Sequence, residues 1–362
     1  MTQQHLLAIL SGQARGPGPA LVRGLLAALA PLYAWGAAAK NAFFDAGWLK
    51  ASDLGRPAVS VGNLTTGGTG KTPMVAWVVH ALAKAGHRPC VLLRGYKSQN
   101  GVSDEAQELH QRVGAVAQVA PHPDRVAEAR RQLAAHPEIT CFVLDDGFQH
   151  RRAKRDLDLV LVDATNPWGY GATLPRGLLR EKKAGLRRAD AVIVTRSDRV
   201  DAEALAQLGV EIQAITGRDP LALARHDWEG LAVWRDGAED VAPLDALQTA
   251  RVAVVCGIGN PAAFTAQARG CAQVVMVEPV ADHAAWSPAL FAGVVERALA
   301  AGATALLTTE KDFVKWRPLL AQLHLTLPVY RPLLAMQFPQ GGEALATLLA
   351  SHIPLSNPRT AS

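Results

Sequence analysis

The run Thr65-Thr66-Gly67-Gly68-Thr69-Gly70-Lys71-Thr72 constrains the fold of this 362-residue chain more than any other stretch. It follows a short apolar run, Pro57-Ala58-Val59-Ser60-Val61, and precedes a helical pattern from Pro73 to Ala85. A strand feeding a glycine-rich turn that opens a helix is the setting of a phosphate-binding loop. There, consecutive backbone N–H groups turn onto phosphate oxygens and the helix N-terminus adds a favourable dipole. Lys71 then reaches the β- and γ-phosphates of a nucleotide such as ATP, and the Thr72 hydroxyl is placed to ligate Mg2+. Every residue from Thr65 to Thr72 is therefore a candidate for nucleotide binding. One position departs from G-x-x-x-x-G-K-[ST]: Thr65 stands where the first glycine is usual.

A second segment turns a nucleotide site into a site of hydrolysis or transfer. Thr140-Cys141-Phe142-Val143-Leu144-Asp145-Asp146 is an apolar strand ending in two carboxylates, the form of a Walker B segment. Carboxylates at that strand end hold Mg2+ or its waters beside the Thr72 hydroxyl.

Strand and helix signals alternate from residue 57 onward, the pattern of a parallel sheet covered by helices. Strands are expected at Ala58–Val61, Pro89–Leu93, Val116–Ala120, Thr140–Leu144, Leu157–Val162 and Ala191–Thr195, with helices at Pro73–Ala85 and Asp124–Ala134. Leu159-Val160-Leu161-Val162 is apolar on both faces, as a central parallel strand should be. After the turn signal Gly217-Arg218-Asp219-Pro220 the pattern becomes short and mixed to Thr249. A second, smaller α/β unit then begins, with strands at Arg251–Cys256, Val274–Val277 and Ala305–Thr308 and a helix near Ser287–Ala300. The chain length exceeds a typical single core, which agrees with two domains. The expected division is a helical segment at 1–50, a P-loop domain at 51–222, a linker at 223–250, the smaller α/β domain at 251–340, and a C-terminal helix and tail at 341–362.

The formal net charge of +5 is unevenly spread. Arg151, Arg152, Lys154 and Arg155 form one basic cluster, and Arg176, Arg180, Lys182, Lys183, Arg187 and Arg188 another. Such clusters meet nucleic acid, phosphorylated substrates or anionic lipid headgroups, or else form solvated faces. The four cysteines show no C-x-x-C pairing, and Cys90, Cys141 and Cys256 lie in apolar strand-like runs. They read as buried small hydrophobes in a reducing compartment, with neither a zinc pattern nor a disulfide framework.

Near the N-terminus an apolar stretch, Gly24 to Gly36, lies between Arg23 and Lys40. It is shorter than the ~20 residues that span a bilayer, and Pro31 is expected to interrupt it. With Tyr33, Trp35, Phe43, Phe44 and Trp48 nearby, it reads as an interfacial helix or as a helix packed on the protein's own core.

Phosphoryl transfer to an alcohol also needs a base for the acceptor. Asp104-Glu105, in a polar loop after Arg94-Gly95-Tyr96-Lys97, and Asp282-His283, after a strand of the second domain, are the candidate neighbourhoods. Taken alone, His283 and His150 read as ordinary histidines. Gly257-x-Gly259 lacks the third glycine of a dinucleotide fingerprint, and Asn260-Pro261 reads instead as the start of a helix.

Together these segments resemble the tetraacyldisaccharide 4′-kinase family, the lipid A 4′-kinases of Gram-negative bacteria. The resemblance rests on Val61-Gly62-Asn63-Leu64-Thr65 leading into Gly67 to Pro73, on Leu93-Arg94-Gly95-Tyr96, and on Ser103-Asp104-Glu105. It continues through Asp124-Arg125, Leu144-Asp145-Asp146-Gly147-Phe148-Gln149-His150 and Leu179-Arg180-Glu181. Cys256 to Pro261, Asp282-His283 and Thr308-Thr309-Glu310-Lys311-Asp312 complete it. The resemblance implies two α/β/α domains: a P-loop NTPase-like sandwich and a second, smaller one. It implies transfer of the γ-phosphate of ATP to the 4′-hydroxyl of a tetraacylated glucosamine disaccharide 1-phosphate, giving lipid IVA, with Mg2+ as cofactor. By the same resemblance Asp104 is the base for the acceptor, His283 its partner, and Lys71 and Arg180 further catalytic groups. Thr72, Glu105, Asp145 and Asp146 are the metal neighbourhood, and Arg125 another candidate for phosphate charge. Thr65 matches the family's loop. Ala284 after His283 and Ser103 before Asp104 depart from its usual pattern. Implied partners are the lipid disaccharide and an anionic membrane surface at the cytoplasmic face of the inner membrane, held peripherally, with no nucleic acid and no obligatory protein partner.

Two rivals carry different residues. Thr195-Arg196-Ser197-Asp198 loosely matches a guanine-reading N/T-K-x-D motif, as a GTP-dependent switch would require, but arginine replaces its lysine. A non-enzymatic membrane adaptor would leave Lys71, Thr72, Asp145 and Asp146 without a purpose.

Overall fold

A computed structural model of the chain describes residues 3–95, 104–258, 261–280, 286–323 and 325–355. Chain contacts divide it into two compact units, one of residues 1–226 with 336–362 and one of residues 227–335.

In the first unit two helices, α1 (Gln3–Ser11) and α2 (Pro17–Asp45), precede the sheet. There follow β1 (Ala58–Asn63), α3 (Lys71–Lys84), β2 (Pro89–Leu93), α4 (Asp104–Val113), β3 (Gln118–Pro121), α5 (Arg125–Ala135), β4 (Cys141–Asp145), β5 (Leu157–Asp163), β6 (Ala191–Thr195) and α6 (Ala202–Thr216). The strand β7 (Ala222–Arg235) carries the chain out of this unit. Its sheet runs β7-β6-β5-β1-β4-β2-β3, parallel throughout, with Val61 opposite Asp145 and Val59 opposite Leu157. Every residue of β1, β2, β4, β5 and β6 is buried, because helices cover both faces and leave no side of the pleat for water.

The central register depends on two glycines. A Cβ on Gly62 would sit 2.5 Å from Phe148 Cβ, and one on Gly147 would sit 2.6 Å from Ser60 Oγ. The turn after β4 can therefore tuck beneath β1 only without side chains at those points. Gly62→Ala is expected to lower stability by about 2–3 kcal/mol, seen as a lower urea midpoint with an unchanged slope.

The second unit contains the β7 hairpin with β8 (Ala238–Ala242), in which Leu231 pairs with Ala242, and then β9 (Arg251–Cys256), α7 (Pro261–Cys271) and β10 (Gln273–Pro279). After α8 (Pro288–Ala300), β11 (Ala305–Leu307) and α9 (Glu310–Leu323), β12 (Val329–Gln340) leads back to the first unit, where α10 (Gly342–His352) packs. Its parallel strands run β10-β9-β11-β12. Trp316, Phe291 and Phe313 are its largest fully buried side chains, and Trp316 meets Phe291 edge-on at 5.1 Å.

Both units are α/β with mostly parallel sheets, as expected. Local corrections are informative. Asp104 and Glu105 open the helix α4 rather than sitting in a polar loop. The stretch after Gly217 contains a 14-residue strand, β7, rather than only short elements. Pro31 does not interrupt the N-terminal helix: α2 runs unbroken for 29 residues and is long and apolar enough, by length and composition, to cross a bilayer. A proline in a helix removes one hydrogen bond, and 29 residues offer enough others for the helix to continue. Cys90, Cys141 and Cys256 are buried free thiols, and burial pushes them up to about 12, 12 and 11.

Candidate nucleotide site

The loop from Leu64 to Gly70 joins β1 to α3 as the sequence predicts, with Gly67 and Gly70 at φ 114° and 88°. Gly70 caps α3 in the left-handed region, so Lys71 and Thr72 form the helix's first turn. Thr65 is explained by pairing. Its buried backbone forms a β-bridge with Leu179, and its Oγ1 and carbonyl accept from Asn63 Nδ2 at 3.2 and 2.8 Å. Thr66 N–H donates to the Leu178 carbonyl at 2.7 Å, and Arg180 N–H to the Leu64 carbonyl at 2.8 Å. That backbone pairing delivers Arg180 beside the loop although 109 residues separate it from Lys71 in the sequence.

The basic groups converge on one carboxylate. Asp145 ends β4, and Asp146 follows at φ 53°, which turns its carboxylate toward the loop. Lys71 Nζ lies 3.7 Å from Asp146 Oδ1 and donates to Asn63 Oδ1 at 3.2 Å. Arg180 Nη1 donates to Asp146 Oδ2 at 2.6 Å, and the buried Arg125 donates to the Asp146 carbonyl at 3.1 Å. Burial pushes the Asp146 carboxyl up, but Lys71, Arg180 and Arg125 together outweigh it and hold it below its ordinary value. It stays ionised at neutral pH.

The chemistry of this set suits Mg2+. Asp146 Oδ1 is a buried carboxylate oxygen with no hydrogen bond, Asp145 stands beside it, and the Thr72 hydroxyl heads α3. Among the described residues no group of three or more His, Cys, Asp or Glu could cage a metal. A nucleotide's Mg2+ is ordinarily held by one or two carboxylates and by the phosphates it accompanies.

The remaining expected residues divide. Glu105 and Asp104 are the first residues of α4, with side chains outside the described set, and Asp282-His283 lies outside the described residues altogether. The basic clusters are largely spent within the protein. Arg151 pairs with Asp45, Lys154 with Asp53, Arg155 with Asp158, Lys183 with Glu211 and Arg188 with Glu181. Thr195 Oγ1 donates to the Thr69 carbonyl at 2.9 Å and Arg196 to the Gly68 carbonyl at 2.6 Å, so that segment braces the loop from behind.

Asn63, Gln149 and Glu181 join the site beyond the residues expected from sequence. Asn63 anchors Lys71, while Gln149 accepts from Arg180 at 3.2 Å and donates to the Asn63 carbonyl at 2.9 Å. Glu181 is buried and accepts from Gln149 at 3.1 Å and from Arg188 at 3.0 Å. Their only signal is position: Gln149 lies three residues after Asp146, Glu181 directly follows Arg180, and Asn63 ends the strand that leads into the loop.

His150 Nε2 is buried without a hydrogen-bond partner. Burial, then Arg125, Lys40, Arg155 and Arg152, push His150 down to about 4. Its folded pKa is depressed, so its contribution to stability is present above the unfolded value near 6.5 and is lost as pH falls toward about 4. Urea denaturation at stepped pH should show stability falling across that window. His150→Gln should make the fall shallower.

A model of the family described as tetraacyldisaccharide-1-P 4′-kinase matches residues 22–353. A tetraacyldisaccharide 4′-kinase of Anaeromyxobacter dehalogenans (strain 2CP-C) is 39% identical, with 82% of each chain covered. That of Geobacter sulfurreducens is 36% identical over 91% of this chain and 93% of the relative. Among solved structures, the "apo" form of LpxK from Aquifex aeolicus in complex with ATP superposes with a TM-score of 0.67 at 24% identity, covering 92% of this chain and 99% of that one. The last likeness bears on fold, and it covers both units.

Proposed function

The chain belongs to the tetraacyldisaccharide 4′-kinase family, and from that membership and the geometry above we propose how its residues act. The enzyme transfers the γ-phosphate of ATP to the 4′-hydroxyl of tetraacyldisaccharide 1-phosphate, forming lipid IVA in lipid A biosynthesis. The observation that carries the site assignment is the convergence of Lys71 and Arg180 on Asp146 beside the glycine-rich loop.

The loop N–H groups from Gly67 to Thr72 cradle the phosphates. Lys71 and Arg180, now held by Asp146, exchange that carboxylate for phosphoryl oxygens as charge moves onto them. Asp146 keeps both cations aligned before nucleotide arrives, so little reorganisation is left for the reaction. Thr72, Asp145 and Asp146, with Glu105, are the groups that would hold Mg2+, which neutralises charge on the transferred phosphate. Asp104 is the proposed base for the 4′-hydroxyl, and His283 a second catalytic group. Release of ADP that requires both ATP and the lipid disaccharide supports this reading. Acceptor-independent turnover of GTP would overturn it.

Association with the membrane follows from the lipid substrate, and we assign it to α2 lying on the surface peripherally, at the cytoplasmic face of the inner membrane. Leu21, Leu25, Leu29, Leu32 and Trp35 form one exposed stripe, with Trp35 75% exposed. On a 3.6-residue period Ala30, Ala34, Asn41 and Asp45 fall on the opposite side. That side meets the protein: Ala30 and Ala34 are buried, Thr173 Oγ1 donates to the Ala30 carbonyl at 3.2 Å, and Arg151 pairs with Asp45. A helix pinned along residues 30–45 can lie in an interface more readily than it can leave the body to span. Replacing Leu25, Leu32 and Trp35 with serine should cut co-sedimentation with anionic vesicles on the order of tenfold or more, from the apolar area lost; unchanged partitioning contradicts the assignment. No obligatory protein partner is proposed.

A further inference from the structure

The helix that faces lipid is also hydrogen-bonded into the nucleotide site. Asn41 Nδ2, on the side of α2 away from the apolar stripe, donates to Glu181 Oε2 at 3.0 Å. Glu181 Oε1 accepts from Gln149 Nε2 at 3.1 Å, and Gln149 Oε1 accepts from Arg180, which in turn holds Asp146. From the preceding residue of the helix, Lys40 Nζ reaches the Gln149 carbonyl at 3.3 Å. The carboxylate at the centre is buried and closely fitted. A Cβ on Gly185 would lie 2.4 Å from Glu181 Oε2, and Arg188 closes another side at 2.8 Å.

An amide at position 149 has two ends, and each is committed. Its NH2 group donates to Glu181 and to the Asn63 carbonyl, so its oxygen must face Arg180. Reversing the amide would set NH2 against a guanidinium and oxygen against a carboxylate. Glu181 therefore sets the orientation of Gln149, and Asn41 and Arg188 set Glu181. We propose that Asn41 is a positioning residue for phosphoryl transfer: through Glu181 and Gln149 it fixes Arg180, so the lipid-facing helix is a working part of the catalytic site. This rests on the kinase reading above. Arg180 acts on charge that develops during transfer, so a misplaced guanidinium lowers turnover more than nucleotide binding.

The test is Asn41→Leu in the full-length protein, which keeps the helix and removes the donor. Turnover should fall on the order of tenfold, with KM for ATP and thermal midpoint held close to wild type. Gln149→Ala should cause a similar fall, and the double variant no more than the worse single one, since coupled residues are not additive. Gly185→Ala, whose Cβ would press on Glu181 Oε2, should reproduce the turnover defect with Asn41 intact. Turnover of Asn41→Leu within twofold of wild type, or losses that multiply in the double variant, would overturn the proposal. Should the wild type transfer no phosphate at all, the kinase reading fails, and the side-chain NMR resonance of Arg180 still decides the relay. That resonance moves in Asn41→Leu if the relay holds and stays in place if it does not.

Discussion

Lys71→Ala is expected to lower kcat/KM for phosphate transfer on the order of 10³-fold while the protein stays folded. The lysine's ion pair with Asp146 spans 3.7 Å, and Asp146 keeps its hydrogen bond from Arg180, so removing the lysine does not leave the carboxylate unpaired. On the proposed reading its value lies in the charge it places at the β- and γ-phosphates, where a preorganised donor is worth about 10²–10³ in rate. A second consequence checks the geometry independently of rate. Lys71 comes first among the groups that hold the Asp146 carboxyl down against burial, so its removal should raise that pKa. The shift can be followed by carboxylate NMR across acidic pH. Near-normal turnover would remove the loop's assignment as the ATP site.

Asp104→Asn is expected to lower kcat by about 10²–10⁴-fold, the range for removing a general base. Nucleotide affinity should change little, because asparagine keeps the size and the helix-starting character of the residue it replaces at the head of α4. An effect confined to KM for ATP would place Asp104 with the nucleotide rather than the acceptor.

How much of this was legible beforehand follows from how local each signal is. The glycine-rich loop, the strand before it and the helix after it are contiguous, so β1, the loop and α3 were readable from one window of sequence. The same holds for β4 with Asp145 and Asp146, and for α8, whose Ser287 caps Leu290 as its position suggests. The polar loop expected at Asp104-Glu105 is a helix because α4 has a strongly one-sided pattern, with Ala106, Leu109 and Val113 buried, that begins only after the two acids. Acid residues in a first turn signal a helix start as readily as a loop.

The connections among Asn63, Gln149 and Glu181 had no comparable signal. They form because Leu178 and Leu179 pair with Thr66 and Thr65, a contact across more than 100 positions that periodicity cannot register. The basic runs were misleading for the related reason that charge counts ignore partners. Arg151 reads as a free cation beside Arg152, yet it binds Asp45 and the Asn41 carbonyl and stacks on Phe44 at 5.2 Å. A cluster that suggested an anionic partner is in part the fastening of α2.

The account stands most directly on the destination of one phosphate. Wild-type protein, γ-labelled ATP, Mg2+ and tetraacyldisaccharide 1-phosphate in detergent should place label on the 4′-hydroxyl of the disaccharide, with ATP and not with GTP. Lys71→Ala protein should place almost none there. Label released only as inorganic phosphate, or transferred equally from GTP, would contradict the account.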